Sequence, residues 1–149
     1  MNLQLTGHHV AVFGSSNGIG RAIAQAFADE GALVRGFDRA APADAAAWKT
    51  TVGDAASLAQ VRAFAAEFPA IDHVVFSVGA GSGKFGFPFW NVEPGDWARV
   101  LEINLVAAVN VAHAFAPGLV ARGTGSVLLV ASVAGQMRSE EHTSELQSH

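Results

Sequence analysis

The sequence predicts an α/β protein: one parallel sheet, doubly wound, with helices on both faces. Three observations lead there. The apolar runs are short and uninterrupted, as strands buried on both faces require. They alternate with stretches whose apolar residues recur at helical spacing. And Val10 to Gly20 reads V-A-V-F-G-S-S-N-G-I-G, a strand passing through a glycine-rich turn into a helix.

In chain order, the first strand stops at Gly14. Apolar residues then recur at Ile19, Ala22, Ile23, Ala26 and Phe27, one face of a helix that Gly31 closes. A second strand, Leu33 to Phe37, ends in Asp38. Ala40 to Ala47 is a loop of small residues, and Lys49 to Val52 supplies a third strand ending at Asp54. Ser57 with Gln60 predicts a capping box for a helix whose apolar face is Leu58, Val61, Ala65 and Phe68. Asp72 leads into a fourth strand, His73 to Val78, followed by the glycine-rich run Gly79 to Gly86. Pro94, Gly95 and Asp96 announce a long helix with a face through Trp97, Val100, Leu101, Leu105, Ala108, Val109, Ala112 and Phe115. A turn at Arg122 to Gly125 precedes the fifth strand, Ser126 to Ala131. No internal repeat is visible.

Composition narrows the function classes. At 149 residues, half of them hydrophobic and 15% charged, the chain is one domain's worth with ample core. A net charge of −4 gives no reason to expect nucleic acid or an anionic membrane. There is no cysteine, and His8 and His9 lack partners at metal-ligand spacing, so no metal site is expected. The longest apolar stretch, Leu105 to Ala121, is interrupted by Asn110, His113 and Pro117 and reads as a core helix. The N-terminus has no signal-peptide pattern, so a cytoplasmic protein is expected.

The glycine-rich turn is where chemistry enters. A strand, a tight turn and a helix opening on bare N–H groups form a phosphate site. Glycine is required at 14, 18 and 20 because a Cβ would block the turn, the diphosphate or the helix–strand contact. Asp38, eighteen residues beyond Gly20, stands where a carboxylate accepts both hydroxyls of an adenosine ribose. A 2′-phosphate there would meet like charge, which favours NAD over NADP. Arg39 is the opposing signal, while Asn17, before Gly18, adds no positive charge. The run G-S-G-K at 81 to 84 fails as a P-loop, since Val78 and Phe85 occupy the positions of its first glycine and its Ser/Thr.

These features together resemble the short-chain dehydrogenase/reductase family from Leu3 to about Gln136. The G-x-x-x-G-x-G spacing at 14, 18 and 20 is that family's variant. The resemblance implies a Rossmann-type sheet, here truncated after the fifth strand, and a nicotinamide-dependent oxidoreductase that interconverts a hydroxyl and a carbonyl. It places Gly14, Ser16, Asn17, Gly18, Ile19, Gly20, Asp38, Asp54 and Gly79 around the dinucleotide, with Asp54 at the adenine amino group. Asn104, in E-I-N-L, matches the asparagine that holds a helix kink and a proton-relay water; Ser132, in A-S-V-A-G, matches the catalytic serine. It further implies a small alcohol or ketone as substrate and a homodimeric or homotetrameric parent. Two departures stand out: Phe13 replaces the usual threonine, and Phe76 and Ser77 replace a pair of asparagines.

The family's tyrosine and lysine would fall near positions 145 and 149, where this chain has Glu145 and His149. It contains no tyrosine, and its two lysines, Lys49 and Lys84, precede Ser132. A non-catalytic Rossmann-type nucleotide-binding protein is therefore the alternative reading. From Arg138 the text reads R-S-E-E-H-T-S-E-L-Q-S-H, which resembles a translated sequencing adapter. The expectation is a domain over 1–137 and a non-native tail over 138–149. Reading the source DNA across codon 137 tests this. A frame that departs from the tail and continues to tyrosine and lysine codons is expected; a frame encoding Arg138 to His149 would contradict it.

Overall fold

A computed structural model describes residues 3–68, 70–84, 90 and 92–132. The tail from Arg138, including Glu145 and His149, lies outside the described residues, as do Phe85, Gly86 and Gln136. The elements run β1 (His9–Phe13), α1 (Gly18–Asp29), β2 (Leu33–Asp38), β3 (Lys49–Val52), α2 (Leu58–Ala65), β4 (His73–Phe76), α3 (Pro94–Leu101), a π-helical turn (Glu102–Val106), α4 (Ala107–Arg122) and β5 (Ser126–Leu129). All pairings are parallel, in the order β3-β2-β1-β4-β5. The chain winds outward from β1 through β2 to β3, then crosses back to place β4 on the other side of β1. That reversal between β1 and β4 opens a crevice at the carboxyl ends of the strands, where α/β sheets bind ligands.

Each face of the sheet has its own core. Val10, Val12, Val34 and Val75 pack under α1 through Ala24, Ile23 and Phe27. Ala11, Phe13, Phe37, Val74 and Phe76 pack under α2 and α4 through Val61, Phe64, Val111, Phe115 and Leu119. Phe13 is fully buried and meets Phe64 and Phe115 edge-on, with centroids 5.5 and 5.9 Å away, and Phe37 at 5.1 Å. Rings so arranged add about 0.5–1.5 kcal/mol per pair beyond simple burial. A threonine at position 13 would make none of these contacts.

Four local expectations need correction. The buried positions of α1 are Gly20 and Ala24 rather than Ala22 and Ala26, which are exposed; alanine is too small to mark a face. On α2 the face includes Phe64, which joins Val61 in burial. No side-chain cap forms at Ser57; Gln60 instead reaches past it to accept the N–H of Asp54 at 2.9 Å. The long helix buries Ala107, Val111, Phe115 and Leu119 at intervals of four. Of the face expected there only Phe115 is buried, and Trp97, Leu101, Leu105 and Val109 are about half exposed. This stretch is apolar all round, so periodicity cannot choose its inner side, and the π-helical turn shifts the phase midway.

β5 pairs with β4 alone among the described residues, and all four of its residues are exposed, Leu128 and Leu129 by half. At its N-terminal end a staple of side chains binds three strands. His8 Nδ1 and His73 Nε2 share a hydrogen bond of 3.0 Å, and His73 Nδ1 and Ser126 Oγ share another of 2.9 Å. The Phe27 ring stacks on His73 at 5.9 Å.

Burial and the neighbouring His8 hold the His73 imidazole below its ordinary value of 6.5, against the pull of Asp72. An unfolded chain therefore binds protons that the folded one resists. The stabilisation is complete above about pH 6.5 and is lost as pH falls below it. Urea midpoints measured from pH 7.5 to 5 should decline for this chain and decline less for His73→Asn. Equal slopes for the two would rule out His73 as the source.

Candidate dinucleotide cleft

At the mouth of the sheet, Gly14 follows Phe13 with φ +83°, and its N–H donates to the carbonyl of Phe37 at 2.8 Å. A Cβ on Gly14 would lie 2.6 Å from the carbonyl oxygen of Ser77, at the end of β4. A Cβ on Gly20 would overlap the carbonyl of Gly14 itself. Around Gly18 there is open space, so its glycine answers to φ +52° instead. Gly14 and Gly20 thus bring β1, the start of α1 and the end of β4 into close backbone approach. Asn17 stands at the N-cap of α1 in extended conformation and makes no side-chain cap.

The cleft beside this turn encloses about 240 Å³. Gly14, Asn17, Asp38, Arg39, Gly79 and Ala80 line it, together with Phe37, Gly53, Ala55, Ser77, Val78 and Ile103. Of the residues singled out in the sequence, Gly14, Asn17, Asp38, Arg39 and Gly79 are on its wall. Gly20 is buried behind it, and Ile19 is exposed at the opening turn of α1. Ser16 is fully buried, with its N–H given to Asp38 Oδ2 at 2.9 Å and its hydroxyl to the carbonyl of Ala40 at 2.6 Å. Its place is therefore behind Asp38, fixing that carboxylate to the glycine turn. Asp38 retains acceptor capacity, since an ionised carboxylate offers about four lone-pair sites.

Asp54 is exposed beside the cleft-lining Gly53 and Ala55, and its Oδ1 accepts the N–H of Ala56 at 2.9 Å. Asn104 lies inside the π-helical turn. Its Nδ2 donates to the carbonyls of Ala80 at 2.7 Å and Val100 at 2.8 Å, and its Oδ1 accepts the N–H of Ala80 at 3.2 Å. It thereby clamps the segment after β4 to the helix. Ser132 is exposed, three residues beyond β5, at the same carboxyl end of the sheet. The lining residues that sequence reasoning passed over, Gly53, Ala55, Ser77, Val78 and Ala80, follow directly on β3 and β4. The signal for them was positional: they are what the strand ends deliver to the crevice.

The remaining charged groups lie elsewhere. Lys84 pairs with Asp96 at the start of α3, and the hydrogen bond from Lys84 holds that carboxyl below the usual carboxylate range. Arg62 and His113 meet at 3.1 Å between α2 and α4. Among the described residues no three His, Asp or Glu side chains converge as metal ligands.

The reversal of strand order beside a glycine-lined turn defines a Rossmann-type α/β protein. A profile of the family described as short chain dehydrogenase matches residues 8–144. The chain belongs to that family. It is 33% identical to an uncharacterized oxidoreductase, YvrD, of Bacillus subtilis, over 91% of this chain and 55% of that protein. It is 32% identical to a D-threitol dehydrogenase of Mycolicibacterium smegmatis, over 95% of this chain and 58% of the relative. A gluconate 5-dehydrogenase from Burkholderia cenocepacia, solved with NADP and tartrate, superposes with a TM-score of 0.78 at 33% identity, covering 91% and 57% of the two chains. The chain spans little more than half the length of these relatives.

Proposed function

We propose that this chain carries the dinucleotide-binding half of a nicotinamide-dependent oxidoreductase that interconverts a hydroxyl and a carbonyl on a small alcohol or ketone. The observation that carries the proposal is Asp38: a carboxylate at the end of β2, on the wall of a glycine-lined crevice, fixed there by the N–H of Ser16. The residues present suit such a ligand. A Cβ at Gly14 would strike the carbonyl of Ser77 on the crevice wall, and the first turn of α1 offers N–H groups to a diphosphate. Asp38 accepts ribose hydroxyls and repels a 2′-phosphate, which supports NAD over NADP. Arg39 lines the same cleft, and the Burkholderia relative holds NADP, so the choice turns on which of the two side chains faces the ribose.

The bound nicotinamide supplies hydride transfer. The chain's own part is to orient and polarise. In a longer parent that turns over, Ser132 would donate its hydroxyl to the substrate oxygen as negative charge builds there. Asn104 holds the backbone of Ala80 against the helix and so fixes the wall beside Gly79. A proton donor of the family's kind is missing, since the chain has no tyrosine. We therefore assign the 149-residue chain binding without turnover, and the full reaction to a longer parent. The half-exposed Leu101, Leu105 and Val109 support a homodimeric or homotetrameric parent. The absence of tyrosine equally favours the second reading, a nucleotide-binding protein with no catalytic role.

Fluorescence titration should show NADH binding more tightly than NADPH by several-fold, with Asp38→Ala narrowing the gap. No hydride transfer should accompany binding. Tighter binding of NADPH would transfer the choice to Arg39, and failure to bind either would contradict the proposed function.

A further inference from the structure

Asn110 lies on α4, one turn and a half beyond Asn104, and is half-buried. Its Nδ2 donates to two successive carbonyls, that of Ala55 at 3.1 Å and that of Ala56 at 2.8 Å. Both belong to the turn that follows β3. Ala55 is 4% exposed and lines the cleft, as does Gly53 two residues earlier, whose N–H donates to the carbonyl of Asp38 at 2.8 Å. Within the turn, Asp54 takes the N–H of Ala56, and Gln60 takes the N–H of Asp54. The N–H groups of Asp54 and Ala56 are thus held by nearby side chains, whereas two carbonyls of the turn are held from α4 by one side chain.

The helical rod that carries Asn104 also carries Asn110, with the π-helical turn between α3 and α4 built around the first of them. Asn104 fixes Ala80 on one wall of the cleft, and Asn110 fixes Ala55 on the other. The order of ligand parts along the cleft follows from the fold. A diphosphate goes to the N-terminus of α1 and a ribose to Asp38 at the end of β2. The base attached to that ribose then lies toward β3, against the turn at Gly53 to Ala56.

We propose that Asn110 is a positioning residue for the adenine half of the dinucleotide: it holds the turn after β3 in the shape that the base packs on. The inference rests on the dinucleotide reading above. A side chain that merely satisfied two carbonyls for stability would affect every ligand of the cleft through folding alone. A positioning residue affects the adenine half selectively.

The test titrates the full chain with ADP-ribose and, separately, with nicotinamide mononucleotide, while circular dichroism confirms folding. Asn110→Leu, which removes the donor at similar size, should weaken ADP-ribose about tenfold, as expected for one to two lost hydrogen bonds, and leave the mononucleotide unchanged. Asn110→Gln keeps the donor on a longer arm and should recover most of the affinity. Hydrogen exchange at 53–57 should quicken in Asn110→Leu and return toward the original rate in Asn110→Gln. Should Asn110→Leu not fold, Asn110→Gln and Asn110→Ser carry the comparison, the first binding ADP-ribose more tightly than the second. Unchanged ADP-ribose affinity, or equal loss of both ligands, would overturn the proposal. Failure of the unmodified chain to bind ADP-ribose would overturn the dinucleotide reading instead.

Discussion

The structure depends on one point of contact between three stretches of backbone. Gly14, Gly20 and the end of β4 at Ser77 approach so closely that a side chain on either glycine would strike a carbonyl. Interiors packed at the density of organic crystals leave no slack to absorb such a collision. From this contact follow the entry angle of α1, the pairing of β1 with β4 and the depth of the crevice between them. The turn spans few residues, yet it sets the relative position of elements drawn from the first half of the described chain. Its cost is conformational: Gly14 and Gly18 both sit at positive φ, where an L side chain would add about 1–3 kcal/mol of strain.

The sheet separates its duties between its two ends. At the carboxyl end, Asp38, Gly79, Asn104 and Ser132 come from four different elements or the segments that follow them. At the amino end, His8, His73 and Ser126 tie β1, β4 and β5 by side chains. Arg122 and the N–H of His9 both donate to Asp72 there, lowering its carboxyl although burial opposes this. Between the ends lies the aromatic cluster around Phe13. Phe13, the first of the two departures, is thus the centre of a core, where an exchange for hydrophobic volume is well tolerated if neighbours fill around it. The cleft is therefore mounted on a scaffold held at both ends and in the middle.

Much of this was legible in the residues themselves. Apolar runs marked β1, β4 and β5, and the spacing of Gly14, Gly18 and Gly20 marked the turn, because few other physical reasons put glycine at those intervals. The inner face of α4 was not legible. Valine, leucine, alanine and phenylalanine surround that helix, and only tertiary contact distinguishes Val111 from Val109. Ser57 and Gln60 had the spacing of a capping box, but Gln60 reaches past Ser57 to accept the N–H of Asp54. Ser16, expected around the dinucleotide, is buried and supports Asp38 through its N–H, a role its sequence position does not announce. Asn110 gave no signal beyond being polar in an apolar stretch, since its two acceptors lie more than fifty residues earlier in the chain. Local patterns fix local structure, and side chains that act across the core are seen only once the core exists.

The central claim is that the glycine turn and the two walls beside it form one ligand site. Hydrogen exchange read along the chain with and without NADH tests this most directly, because it reports where the ligand sits as well as whether it binds. The account predicts slowed exchange at 14–20, 38–40, 53–56 and 78–80, with β5 and the exposed side of α3 and α4 unchanged. Protection confined to α3, α4 or β5, with the glycine turn exchanging as before, would contradict it.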